Sequence, residues 1–427
     1  MPLHAQWART YGGGGDDIVY SIQQTSDGGY ILAGCTNSSG AGKLDFWVLK
    51  LSFAGKIEWQ RTYGGSEDDI AYSIQQTSDG GYIVAGSTKS FGAGMSDFWI
   101  LKLSSQGVIT WQRSYGGSGD DVAHSIQQTS DGGYIVGGYT SSLTVGTAKI
   151  WVLKLSSQGI AEWQRSYGEG INDYLISIQQ TSDGGYIAGG YTNSITSGTT
   201  KFCILKLSSS GAIDWHCIYG GGGDDFLQSL QQTSDGGYIG TGYTNSFGLG
   251  DQDIWVLKLF SDGAIEWQPR YGGSGDDIAN SIEQAGDGGY VIAGYTTSFA
   301  RGETDSWILK LSSLGAIEWQ QTYGGSPNDY LSCIHKTSDG GYIAAGYSNS
   351  YTSGDADLFI LNIFSTGAID PSCELPGSSN ASVFTTDGSY TFINTITQDT
   401  SLNPKSPNIS SLVTNATQSL LYKAQIT

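Results

Sequence analysis

Residues 27–30 read Asp-Gly-Gly-Tyr, and the same tetrapeptide returns at Asp79, Asp131, Asp183, Asp235, Asp287 and Asp339, each time after 52 residues. A Trp shortly before Tyr-Gly keeps the same period, at Trp7, Trp59, Trp111, Trp163, Trp215, Trp267 and Trp319, and the next slot holds Pro371. A fixed period of this length, free of insertions, marks one supersecondary unit stacked on its own copies. Read outward from Asp27-Gly28, a unit consists of DIVYSIQQT, GGYILAGCT, DFWVLKL and KIEWQRTYG, four strand-length runs rich in Ile, Val, Tyr and Trp. No stretch sustains a 3.6-residue apolar period, so helix should be nearly absent. Asp27-Gly28 predicts a two-residue type I′ hairpin between the first two runs, and Phe53-Ala54-Gly55 predicts a three-residue loop with a G1 bulge between the last two. Four antiparallel strands repeated seven times predict an all-β, seven-bladed β-propeller over residues 1–372; a linear solenoid would use shorter coils without successive tight hairpins. The chain enters at a fourth strand, HAQWARTYG, and its last unit ends after a third, ADLFILNIF. Residues 4–10 are therefore expected to complete the blade begun by residues 329–365.

The chain has 427 residues, 64 of them Gly, and 20 Lys+Arg against 40 Asp+Glu leave a formal charge of -20. That balance argues against a nucleic-acid partner, whose phosphates are bound by Lys and Arg, and favours cations or basic surfaces. No apolar run approaches the roughly 18 residues of a membrane-spanning helix.

Hairpin arithmetic predicts which residues face one another. In the second hairpin of the first unit it sets Trp47 against Arg61 and Lys50 against Glu58, repeated as Lys154 with Glu162, Lys206 with Asp214, Lys258 with Glu266 and Lys310 with Glu318. Such exposed pairs mark register more than they stabilise. Trp47 with Arg61, Trp99 with Arg113 and Trp151 with Arg165 are expected to stack as guanidinium on indole. Cys203 and Cys217 replace one such pair, as two packed thiols or a local disulfide; the other cysteines lack metal-ligand spacing. The first hairpin sets Tyr20 against Cys35, Tyr72 against Ser87, His124 against Tyr139, Ile176 against Tyr191, Gln228 against Tyr243, Asn280 against Tyr295 and Ser332 against Tyr347. These pairs should lie near one mouth of the central channel, either as packed tyrosines or as an aromatic rim that stacks a sugar or another flat or cationic ligand. Tyr20, Tyr72, His124, Tyr139, Tyr191, Gln228, Tyr243, Asn280, Tyr295 and Tyr347 are the candidate ligand-binding residues.

The loop before each first strand ends in Asp, at Asp17, Asp69, Asp121, Asp173, Asp225, Asp277 and Asp329. Asp in a Gly-rich turn ordinarily accepts from loop amides; the alternative is a calcium ligand, since hard cations take several oxygens. No cofactor other than calcium is suggested. Nucleophile elbows, Walker loops and dinucleotide fingerprints are missing, and His124 opposite Tyr139 is the most enzyme-like pair.

The units resemble the tandem propeller repeats of secreted or surface-exposed bacterial and archaeal proteins, in the broad kelch-like and quinoprotein-like group. The resemblance rests on GGYI.AG, FW.LKL and W...YGG. True kelch repeats end a strand, rather than start one, with the glycine pair, and the Trp-Asp dipeptide of WD repeats is missing. Thr25-x-Asp27-x-Gly29 also looks like part of an Asp-box turn. The resemblance implies a propeller and an extracellular or cell-surface location, which would require a leader removed upstream; it implies no reaction. Residues 373–427 are rich in Ser, Thr and Asn and read as a linker or the start of a further module, in which VFTTDGSYTFINTI could form a hairpin. The expectation is a monomeric, non-catalytic binding or scaffold propeller, with a glycan or basic protein at the acidic loop face. The alternative is a hydrolase or lyase acting on a polysaccharide at the channel mouth, with calcium assisting.

Overall fold

The computed structural model describes residues 6–369, apart from 144–145, 169, 194–197, 249 and 352–354, together with the tail segments 376–377, 382–385, 390–392 and 417–420. The described residues contain no helix. They form seven antiparallel sheets around a common axis, a seven-bladed β-propeller. Blade 1 consists of Asp17–Gln24, Tyr30–Thr36, Asp45–Leu51 and Ile57–Gly64, from the innermost strand outward. Blade 7 takes its first three strands from Asp329–Lys336, Tyr342–Ser348 and Asp357–Ile363, and its fourth from Trp7–Tyr11 at the other end of the chain. Trp7 lies opposite Asn362 and Tyr11 opposite Leu358, so the ring is closed by a strand from the N-terminal region.

Every residue of the second and third strands of blade 1 is buried, because alternate side chains enter the cores shared with the two neighbouring blades. Ile31, Ala33, Phe46 and Val48 pack against Ile74, Tyr82, Val84, Trp99 and Leu101 of blade 2. Burying a side chain of this size stabilises by about 1.5–3 kcal/mol. The W...YGG segment fastens one blade to the next: Trp59 Nε1 donates to the Ser105 carbonyl (3.2 Å) and Tyr63 Oη to the Gly107 carbonyl (2.5 Å). The same Tyr bond recurs from blade 7 onto blade 1, where Tyr11 Oη donates to the Gly55 carbonyl at 2.6 Å.

The first turn is one residue longer than a type I′ hairpin. Gly28 N–H donates to Thr25 C=O, Thr25 N–H donates to Gly29 C=O, and Gly28 sits at φ 84° while, among the described residues, no non-glycine residue has a positive φ. Asp27 therefore cannot occupy the left-handed position that type I′ requires of both central residues. A bulge at Tyr20 adds a further shift, so Cys35 lies opposite Ile18 and not Tyr20. In the second hairpin a bulge at Glu58 places Trp47 opposite Thr62. Trp47 Nε1 donates to Gln60 Oε1 (3.2 Å), and Arg61 Nε reaches the Gln106 carbonyl of the next blade (2.9 Å), which corrects the expected stacking of Arg61 on Trp47. The corresponding bulges set Trp99 opposite Ser114 and Trp151 opposite Ser166. Cys203 and Cys217 fall on adjacent rungs, enter different blade interfaces and are free thiols.

The Lys pairs form, yet the lysines are buried, contrary to the exposed pairs expected. Lys50 Nζ is held by Glu58 at 3.1 Å and by Asp27 of the DGGY turn at 3.0 Å, with its side chain 3% exposed. Blade 7 has Asn362 in this slot, which donates to Tyr30 Oη across the seam. The tail segments Ser382–Thr385 and Tyr390–Phe392 pair with the fourth strands of blades 5 and 4 rather than with each other.

Candidate functional site

The innermost strands all run the same way, so their first residues gather at one end of the disc and their last residues at the other. The loop end comes first. Thr-Gly-rich turns and the fourth-to-first connections meet there, and the two acids of each DD motif separate: Asp17, Asp69, Asp121, Asp225 and Asp277 are buried, whereas Asp16, Asp68, Asp120, Asp224 and Asp276 stay half-buried in the loops. Each first-strand carboxylate is engaged by neighbouring loop, hydroxyl or ammonium donors. Asp17 Oδ2 accepts from Gly13 N–H (2.8 Å) and Ser38 Oγ (2.6 Å), and Asp69, Asp121, Asp277 and Asp329 repeat both bonds. Asp225 does so with Gly221 and Ser246, and Asp173 accepts from Thr192 Oγ1 and from Lys149 Nζ at 2.9 Å. Burial raises the carboxyl pKa of Asp17, Asp69, Asp121 and Asp277, partly offset by the hydroxyl and amide bonds. An open cleft of about 820 Å³ lies at this end, lined by Asp16, Asp68, Asp355 and Lys43 among glycine and serine backbone.

One to three residues further in along the first strands runs an aromatic belt. Tyr20 and Tyr72 have centroids 5.1 Å apart, Tyr72 and His124 4.9 Å, and His124 stacks on Tyr139 at 5.9 Å. The chain continues through Tyr174, Tyr191, Phe226 and Tyr243, each 4.8–5.1 Å from the last, and resumes as Tyr295, Tyr330 and Tyr347. All of these rings are half-buried. Tyr174, Phe226 and Tyr330 escape the hairpin arithmetic because the bulge brings the second and fourth residues of the first strand to the same neighbourhood. A signal was available, since those three positions are aromatic only in blades whose fourth residue is not. Burial pushes the His124 pKa down to about 4, so its imidazole is neutral at pH 7, and it pushes Tyr72 up to about 12. Gln228 is half-buried beside the belt, and Asn280 Nδ2 is spent on the Leu331 carbonyl of the next blade (2.8 Å).

The other mouth is a cavity of about 260 Å³ ringed by Gln23, Gln75, Gln127, Gln179, Gln231, Glu283 and His335 above a layer of Ile and Leu. These side chains lock the ring: Gln23 Oε1 accepts from Gln76 N–H at 2.7 Å, Gln75 from Gln128 N–H at 2.6 Å, and Glu283 from Lys336 N–H at 3.0 Å. Between blades 6 and 7 the symmetry breaks, where His335 Nδ1 lies 3.0 Å from Glu283 Oε2 and Lys336 Nζ lies 3.7 Å from Glu283 Oε1. His124 and Tyr139, the most enzyme-like pair of the sequence, lie in the aromatic belt near one mouth; the Glu283–His335 pair sits at the opposite mouth.

No protein-family model matches the chain. Among curated proteins it is similar to the regulatory protein FlaEY of Caulobacter vibrioides, 23% identical over 381 residues that cover 73% of this chain and 39% of that protein. The chain thus spans about two fifths of the length of that relative. Among solved structures it is similar to the Pan2 WD40 domain of Neurospora crassa, with a TM-score of 0.51 and 12% identity over 84% of this chain and 98% of that one. Similarity to Sqt1 of Chaetomium thermophilum is weaker, at a TM-score of 0.43 and 11% identity over 88% and 90%. The likeness to the Pan2 WD40 domain supports the propeller fold. Among the described residues no helix is long and apolar enough to cross a membrane.

Proposed function

We propose that the protein is a non-catalytic, extracellular or surface-exposed binding propeller that takes a glycan or a basic protein segment at its acidic loop face. The observation that supports this reading is the loop-end cleft, whose volume falls within the range of ligand sites and whose titratable lining is three carboxylates against one lysine. Half-buried tyrosines a few residues deeper add flat surface for a sugar ring or a cationic side chain. The same loop pattern returns in each blade, which suits multivalent recognition.

A second reading, hydrolysis or elimination on a polysaccharide, is favoured by one observation, the Glu283–His335 pair in the opposite channel mouth. A carboxylate and an imidazole within hydrogen-bond distance can share acid and base roles. Glycan-array binding, run beside a glycosidase and esterase panel, separates the two readings. Saturable binding without turnover supports the first. Turnover that disappears in Glu283→Gln and His335→Ala overturns it.

A further inference from the structure

At the loop end, each blade interface brings the Asp that opens a first strand against the residue that opens the third strand of the preceding blade. Gly64 sits between the two at the first interface: a Cβ there would overlap Asp45 Oδ1 and lie 2.8 Å from Asp69 Oδ2. The same arrangement recurs at Gly116 between Asp97 and Asp121, at Gly324 between Asp305 and Asp329, and at Gly12 between Asp357 and Asp17. Two carboxylates thus converge at each of these four interfaces, with no salt bridge to either among the described residues; seven of the eight acids are buried and Asp357 is half-buried. Asp45 and Asp305 are each 1% exposed, and their Oδ1 atoms, which face the partner acid, accept no hydrogen bond.

The other three interfaces show what this position takes. Lys149 and Lys201 replace the third-strand Asp in blades 3 and 4. Lys149 Nζ contacts Asp173 Oδ2 (2.9 Å) and the Gly170 carbonyl (2.5 Å), and Lys201 Nζ contacts Asp225 Oδ2 (3.2 Å) and the Gly223 carbonyl. In blade 5 Asp253 is kept, and Arg270 Nη1 approaches it at 3.4 Å. A positive group therefore occupies the interface in blades 3, 4 and 5, whereas at Asp305 the nearby Arg301 donates only its backbone N–H and its guanidinium makes no ion pair with the carboxylate.

We propose that the four interfaces Asp45/Asp69, Asp97/Asp121, Asp305/Asp329 and Asp357/Asp17 each bind one hard divalent cation, Ca²⁺ above all, in the place the lysine ammonium takes in blades 3 and 4. Charge balance selects a divalent ion, since Lys with Asp is neutral and two carboxylates need two positive charges. An all-oxygen donor set of carboxylates and loop carbonyls selects a hard cation, with water completing the shell. Two carboxylates per site, with no cluster of three acidic, His or Cys side chains among the described residues, place the affinity in the weak range of extracellular modules, with Kd on the order of 10⁻⁴–10⁻³ M. This locates calcium between blades rather than on a ring of seven first-strand acids: Asp173 and Asp225 already hold an ammonium, and a guanidinium serves the Asp253 interface beside Asp277. The inference stands whether or not the loop face binds a glycan.

The test uses the full chain stripped with EDTA and then dialysed against ⁴⁵Ca²⁺, alongside the double variant Asp45→Lys/Asp305→Lys, which copies the pattern of blades 3 and 4. Four saturable ions in the parent and two in the double variant are expected, with the melting temperature raised by CaCl₂ but not by KCl of equal ionic strength. Asp45→Asn/Asp305→Asn serves the same purpose should the lysine variant not fold. Absence of saturable binding, an unchanged stoichiometry in a folded variant, or an equal effect of KCl overturns the proposal.

Discussion

Replacing Tyr63 with Phe removes one hydroxyl and nothing else from an interface that is repeated seven times. Tyr63 is fully buried, and its Oη donates at 2.5 Å to the Gly107 carbonyl in the second hairpin of the next blade. The loss of a buried hydrogen bond costs about 1 kcal/mol net, and up to about 3 kcal/mol where the acceptor finds no replacement donor. Tyr167→Phe and Tyr271→Phe remove the equivalent bonds to Gly211 (2.6 Å) and Gly315 (2.5 Å). Tyr11→Phe removes the bond that ties the closing strand of blade 7 to Gly55 of blade 1. Because the bonds are alike and the ring is closed, all four variants should lower the stability by the same 1–3 kcal/mol, within about 0.5 kcal/mol of one another. Urea unfolding followed by tryptophan fluorescence reads this as a shift of midpoint at constant m-value. An unchanged midpoint in Tyr63→Phe would refute the interlock. A silent Tyr11→Phe beside costly internal variants would refute closure of the ring by the N-terminal strand.

Other outcomes follow from the same geometry. Gly132 has φ 83° and open space around its Cβ direction, so Gly132→Ala should cost about 1–2 kcal/mol from backbone strain alone, read as a fall in urea midpoint. Burial holds the carboxyls of Asp97 and Asp357 up at about 6, above the unfolded value near 4, so their contribution is full below about pH 4 and lost as pH rises through 6. Desolvation, the largest single effect on Asp79, Asp131, Asp183 and Asp235, is outweighed by Lys, Thr and backbone donors together, which hold them at about 2, so their contribution is present above about pH 4 and lost as pH falls towards 2. In EDTA the melting temperature should therefore peak between pH 4 and 6, and a profile rising steadily to pH 8 in calorimetry would contradict these assignments. Peptide mapping without reductant should find no Cys203–Cys217 cross-link, because the two thiols enter different interfaces.

Architecture was legible because the information is repeated. Seven DGGY turns and seven Trp markers fix strand count, blade length and closure, and an error in one unit is outvoted by six others. Register was less legible for a specific reason. The type I turn with Gly28 in the left-handed region and the type I′ turn share the Asp-Gly signature, and bulges at Tyr20 and Glu58 leave no mark in composition. The Lys–acid pairs survived the one-residue shift because a bulged Glu58 still points its carboxylate at Lys50. Contacts across blade interfaces, such as Asp45 with Asp69 or Glu283 with His335, lie about one repeat or half a repeat apart and follow no hairpin rule. Yet the two lysines at positions 149 and 201, in a slot that is Asp in every other blade, were a visible exception to a strict pattern.

Which face of the disc takes a ligand is the question on which the functional account turns, and hydrogen–deuterium exchange of the full chain with a bound glycan or basic peptide addresses it directly. Slowed exchange in residues 12–17 and 64–69 and in the adjoining 37–44 loop, with the DGGY turns unchanged, is the predicted result. Protection confined to residues 283–284 and 335–336 and the DGGY turns at the opposite mouth would contradict it.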